Sequence, residues 1–180
     1  MSLIATQYDY EPDLSKTDYD PAPLYWPCYT YFPEHTIRAE YIIDNYGLCK
    51  IVVWGCAFGY LVDELTKLGA DAAGFDASRY AIERGKELLP DIADKLHIGD
   101  CRYAIYSHYD LCVTEDMLPC FNDRELPFML PKLRIASDKV LHIVTPHEHG
   151  TDYDIRINWK TLDEWKELLK PDKVVDSLCR

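Results

Sequence analysis

The stretch Lys50-Ile51-Val52-Val53-Trp54-Gly55-Cys56-Ala57-Phe58-Gly59-Tyr60-Leu61 decides the fold. Ile51 to Trp54 follow one another without a polar break, the pattern of a strand covered on both faces and not of one that alternates toward water. Gly55 ends the run, and a tight glycine turn leads into a segment that sets Leu61, Leu65 and Leu68 at helical spacing before Gly69. A turn of this kind between a buried strand and a helix exposes backbone N–H groups at the positive end of the helix. Small residues there let a ligand approach the main chain.

The same alternation extends outward in both directions. Downstream, residues 70–75 form a short apolar run that ends at Asp76, 21 residues past Gly55, where a carboxylate at a strand end accepts from ribose hydroxyls. Ser78 is placed to cap a helix over residues 79–89, and Pro90 stops it. Leu96-His97-Ile98-Gly99-Asp100 reads as a third strand with a second acid at its end, and residues 109–114 as a fourth. A helix over residues 127–135, a fifth strand over 140–144, and a helix capped by Thr161 with Glu164 three residues on complete the series. Upstream, Ile37, Tyr41 and Ile42 predict a helix over residues 37–46, stopped by Gly47. The reading is a three-layer α/β sandwich, a mostly parallel sheet with helices on both faces. Only residues 173–178 remain for a further strand, which leaves a C-terminal hairpin incomplete and that sheet edge available for pairing in a homodimer.

Composition bounds what such a domain does. At 180 residues, 48% hydrophobic and 28% charged, the chain makes one folded domain, not a disordered or fibrous protein. Residues 1–36, rich in tyrosine, proline and acid, read as an arm or lid, because so much aromatic surface is costly to leave in water; residues 37–180 form the domain proper. A formal charge of -12 repels phosphate backbones and makes nucleic acid an unfavoured substrate. No apolar run reaches the roughly 20 residues needed to cross a bilayer, and the N-terminal stretch lacks a signal peptide's basic start, so a cytoplasmic location is expected and no membrane partner. The seven cysteines include no CxxC pair, which favours reduced core thiols over zinc or disulfides.

The ordered motifs resemble those of the class I S-adenosylmethionine-dependent methyltransferase family, whose fold is Rossmann-like. Val52 to Gly59 is similar to its first motif, Gly74-Phe75-Asp76-Ala77-Ser78 to the ribose-binding second, and Ile98-Gly99-Asp100-Cys101 to the third, whose acid meets the adenine amino group. Residues 109–118 are similar to the fourth strand and its loop, and the whole resemblance spans about residues 37–169. It implies S-adenosyl-L-methionine as cofactor, with Gly55, Cys56, Ala57 and Gly59 around the methionine moiety, Asp76 and Ala77 at the ribose, Asp100 and Cys101 at the adenine, and Thr114 beside them. The methyl acceptor it implies is a small molecule or a protein. Ala57 in place of a middle glycine argues against a dinucleotide pyrophosphate in the turn.

Two positions depart from the family pattern: Val53 stands where an acid is usual, and Ala57 where a second glycine is usual. Two alternatives therefore stay open, a regulator or scaffold that binds the cofactor or a nucleotide without transfer, and an enzyme that degrades S-adenosylmethionine. Candidate catalytic groups are Glu115 in the loop after the fourth strand and His147 and His149 after the fifth, as bases or, for the histidines, metal ligands. The competing reading of residues 147–152 is a solvated polar loop. Tyr25, Tyr29 and Tyr31 are candidates to face the sulfonium through cation–π contact, with Met117 beside the substrate. For each tyrosine a plain hydrophobic cover competes with that role. Cys56 and Cys101 read as packing or backbone contacts, not nucleophiles.

Overall fold

The computed structural model describes residues 26–103, 108–145 and 157–175. Their elements are α1 (Glu34–Tyr46), β1 (Lys50–Trp54), α2 (Tyr60–Lys67), β2 (Asp71–Asp76), α3 (Arg79–Leu88), β3 (Leu96–Ile98), β4 (Tyr109–Glu115), α4 (Leu126–Ala136), β5 (Ser137–Ile143) and α5 (Leu162–Leu169), with short 3-10 turns at Trp26–Cys28, Pro90–Lys95 and Leu118–Cys120. The five strands pair in the order β3-β2-β1-β4-β5, and every pairing is parallel. The expected α/β sandwich is therefore present.

The unbroken apolar run of β1 is explained by its two covered faces. Ile51 and Val53 enter one core with Ala39 and Ile42 of α1, Leu61, Val62 and Leu65 of α2 and Ile82 of α3. Val52 and Trp54 enter the other, with Leu126, Met129 and Leu133 of α4 and Trp165 and Leu169 of α5. Helices α1 to α3 thus cover one face of the sheet and α4 and α5 the other. Ser78 caps α3 by accepting from the Ala81 N–H at 3.1 Å, and Thr161 and Glu164 form a reciprocal capping box at the start of α5.

The largest differences from the sequence reading fall in three places. Helix α1 begins at Glu34, not residue 37, with Pro33 immediately before it. Strand β5 begins at Ser137, directly after α4; Ser137 is buried and Asp138 and Lys139 are exposed, a polar start that apolar content does not reveal. Residues 173–175 take no strand conformation, and residues 176–178 of that expected strand lie outside the described residues. Among the described residues no helix is long and apolar enough to cross a membrane.

Candidate functional site

The strand order reverses between β1 and β4, and at such a point the two chains leave the sheet in opposite directions and open a crevice at its carboxyl edge. Trp54 pairs with Thr114 in the register, so Gly55 and Glu115 stand at the same level on the two sides of the crevice. Gly55 has φ +73°, and a Cβ there would lie 2.7 Å from Met117 Cβ. The glycine is needed both for its backbone angle and for the approach of the β4 loop. Gly59, at φ +91°, would place a Cβ 2.6 Å from the Leu96 side chain. Ala57 itself takes a left-handed angle, φ +50°, so the third position of the turn has the conformation of a glycine without the residue.

Asp76 ties the turn to β2. One carboxylate oxygen accepts the Ala57 N–H at 2.8 Å and the other the Ser78 N–H at 2.8 Å. The acid at the end of β2 thus sits directly against the glycine turn, and Ala77 lies between it and Ser78 in the chain. Asp100, 6% exposed, is held differently. Its two oxygens accept from the Arg102 backbone N–H and from Arg102 Nε and Nη2 over 2.6 to 3.1 Å, and Arg102 Nη1 bridges on to Glu125 at 3.0 Å. Two acceptances on each oxygen use up the carboxylate, so an adenine amino group meets it only when Arg102 moves.

Glu115 is not a free base. It is 8% exposed and accepts from Arg38 Nη1 of α1 at 2.6 Å, with His35 Nε2 3.9 Å away. Arg38 also reaches toward Asp116, at 3.9 Å. Asp116 in turn has φ +46° and receives the Thr145 N–H and hydroxyl at 2.6 and 2.9 Å, which pins the loop after β4 to the end of β5. Arg38 and His35 carry no motif, so the sequence reading passed over them; the one signal was a basic residue on a helix preceding the glycine turn. Thr114 is fully buried, and its hydroxyl is bonded to His142 Nδ1 at 2.8 Å. Burial, with Arg134 nearby, depresses the pKa of that histidine to about 4.

Of the aromatic candidates, Tyr29 stands edge-on to Phe58 at 5.1 Å and stacks with Tyr60 at 6.1 Å, while Trp26 stacks on Phe58 at 5.6 Å. Tyr31 packs edge-on to Tyr60 at 5.6 Å. These rings cover the glycine turn through Phe58. Cys56 and Cys101 are buried, and burial raises both thiols well above the usual range, Cys56 further through Asp76 and Glu115 and Cys101 through Asp100. Met117 and Met129 both approach the Cys101 sulfur, at 3.8 and 3.2 Å. Tyr25, His147 and His149 lie outside the described residues. Among the described residues no group of three or more His, Cys, Asp or Glu could hold a metal ion.

No protein-family model and no curated protein sequence matches the chain. Solved structures do. The magnesium protoporphyrin IX methyltransferase ChlM from Synechocystis, with S-adenosylhomocysteine bound, aligns with TM-score 0.62 at 15% identity over 76% of this chain and 71% of that one. The mitomycin 7-O-methyltransferase MmcR aligns with TM-score 0.61 at 19% identity, over 76% of this chain and 46% of that one. A TehB-like methyltransferase from Corynebacterium glutamicum gives 0.56 at 19%, over 76% and 70%. The chain spans about half the length of two others, 50% of the glycopeptide N-methyltransferase MtfA and 54% of DesVI from Streptomyces venezuelae. At these identities the likeness is one of architecture: the chain has the Rossmann-like fold of the class I S-adenosylmethionine-dependent methyltransferases.

Proposed function

We propose that this protein binds S-adenosylmethionine in the crevice between β1 and β4 and transfers its methyl group to a small molecule. The observation that supports it most is the seating of Asp76 against the Gly55 to Gly59 turn at the switch point of a sheet with the methyltransferase fold. The residues present fit the cofactor. Asp76 sets a carboxylate, the group that accepts from ribose hydroxyls, against the turn, and Gly55 and Gly59 open the main chain. The acid missing at Val53, which is fully buried in the core, has a counterpart in Glu115 at the level of Gly55. Arg38 and Glu115 together offer one charge of each sign, the complement of an amino-acid carboxylate and ammonium.

Bound there, S-adenosylmethionine would supply an already activated methyl group for an acceptor nucleophile. The protein's part is alignment and exclusion of water. Asp76 fixes the sugar, Arg38 and Glu115 hold the amino-acid end, and the rings of Trp26, Tyr29 and Phe58 cover the turn. Asp100 takes the adenine amino group once Arg102 yields. A small-molecule acceptor is favoured because the solved structures of the same fold include methyltransferases of mitomycin and of magnesium protoporphyrin IX. Catalytic roles for His147 and His149 are part of the proposal only through their position in the sequence after β5.

Titration calorimetry tests this reading. S-adenosylhomocysteine binds the parent protein and loses at least about tenfold in affinity with Asp76→Ala, the size of one charge-assisted hydrogen-bond site. Arg38→Ala weakens S-adenosylhomocysteine but leaves 5′-methylthioadenosine, which lacks the amino acid, bound as before. No binding of either ligand overturns the proposal. Binding without methyl transfer to any acceptor in a cell extract supports the second reading, a cofactor-binding regulator, for which the buried Val53 in place of an acid is the supporting observation.

A further inference from the structure

A groove of about 350 Å³ lies on the α4 side of the sheet, between the Arg102–Tyr103 turn after β3 and the first half of α4. Its size suits a one- or two-ring molecule. The floor is Met129, 1% exposed, and the sides carry Phe128, 75% exposed, and Tyr103, 47% exposed with the Arg102 guanidinium over its ring at 5.4 Å. Three cations line it, Arg102, Arg124 and Lys132, against one carboxylate, Glu125. Arg102 spends its charge on Asp100 and Glu125, and Glu125 is further held by the Asn122 N–H at 3.0 Å. Lys132 donates to the Arg102 carbonyl, which fixes its position without neutralising it. Arg124 has no side-chain partner among the described residues.

Local positive charge beside exposed rings is unusual in a chain of net charge -12. That overall charge disfavours a nucleic acid as occupant, because the field around the groove repels a polyanion. A small monoanion with an apolar body meets no such barrier: its ring covers Phe128 and Tyr103, and its acid group pairs with Arg124 and Lys132. We propose that this groove is a separate binding site for a small aromatic carboxylate. It stands one layer of side chains from the glycine turn, since the Cys101 sulfur contacts both Met129 on the groove floor and Met117 beside Gly55. The proposal does not depend on cofactor binding.

The test uses naphthalene-2-carboxylate and its neutral isostere naphthalene-2-carboxamide, titrated into the full chain at low salt, followed by calorimetry and by amide chemical shifts. The acid binds about tenfold tighter than the amide, in keeping with one charge-assisted pair. Arg124→Gln removes that preference, and Phe128→Ser weakens both ligands about fivefold or more. Both substituted side chains are exposed, so the fold survives, and an unchanged melting temperature verifies it. Equal affinity for acid and amide, no binding of either at millimolar concentration, or parental binding by both variants overturns the proposal. Shift changes confined to residues other than those of the groove overturn it as well.

Discussion

Gly85 of α3 lies so close to the glycine turn that a Cβ on it would stand 2.4 Å from the Phe58 carbonyl oxygen. The contact is backbone against helix, with no flexible side chain to give way. Replacing Gly85 by alanine improves helix propensity, yet it forces α3 away from the turn. The clash outweighs the propensity gain of about 1 kcal/mol. Gly85→Ala is expected to destabilise the protein by about 1–3 kcal/mol in urea denaturation and to weaken S-adenosylhomocysteine binding in parallel, because Ser78 and Asp76 move with the helix start. An unchanged midpoint would show that α3 and the turn are not in contact.

Ala57 offers the opposite case. Its φ of +50° costs an L-residue with a Cβ about 1–2 kcal/mol, part of which a glycine returns as lost unfolded-state freedom. Ala57→Gly therefore raises stability by up to about 1 kcal/mol. The backbone N–H that donates to Asp76 is kept, so cofactor affinity should hold. A lower melting temperature in calorimetry would contradict the strained angle.

The contrast between these two positions marks what the sequence made legible. A β-branched run, a glycine turn and leucines at helical spacing are local signals, and they located β1, α2 and the caps at Ser78 and Thr161 because each is decided within a few residues. Long-range pairings left no such trace. Arg38 meets Glu115 across 77 positions, and nothing in the spacing of α1 marks its arginine as a crevice residue. Arg102 is only two positions from Asp100, but whether it closes on the carboxylate depends on Glu125 in a later segment holding its other end. Strand β5 began three residues earlier than expected because Ser137, Asp138 and Lys139 are polar, and only pairing with β4 makes them strand.

The two acids at strand ends should differ in effect. Asp76 is engaged by backbone amides that remain in place, so Asp76→Asn removes charge from a formed site and lowers S-adenosylhomocysteine affinity about tenfold or more. Asp100 is closed by Arg102, so Arg102→Ala, which reopens it, should strengthen binding of the adenine nucleoside while leaving the inosine analogue unimproved. Calorimetry on the two nucleosides reads this directly. An Arg102→Ala variant that binds both more weakly would assign Arg102 to the ligand and not to a clamp on Asp100.

Chemical inertness is expected of the thiols in the site. Cys56 and Cys101 are 1% and 3% exposed with raised pKa values, so neither supplies a thiolate at neutral pH. Iodoacetamide at pH 7.5 should leave both unmodified in the folded protein, and mass spectrometry of peptides should find them alkylated only after denaturation. Rapid native labelling of either would revive a nucleophilic role.

His142 sets a pH dependence whose sign follows from its burial. Its pKa falls from an ordinary 6.5 to about 4 in the folded chain, where Thr114 holds the ring and Arg134 opposes a second positive charge. Between those two values the unfolded chain binds the proton that the folded chain refuses, so stability falls as pH drops from 6.5 toward 4 and is fully present above 6.5. The loss attributable to this group is of order 3 kcal/mol at the acid end of the window. His142→Gln keeps a hydrogen-bonding partner for Thr114 and removes the titration. Urea denaturation of parent and variant at pH 7.5 and at pH 5 should therefore show a smaller drop for the variant, and equal drops would place the acid sensitivity elsewhere.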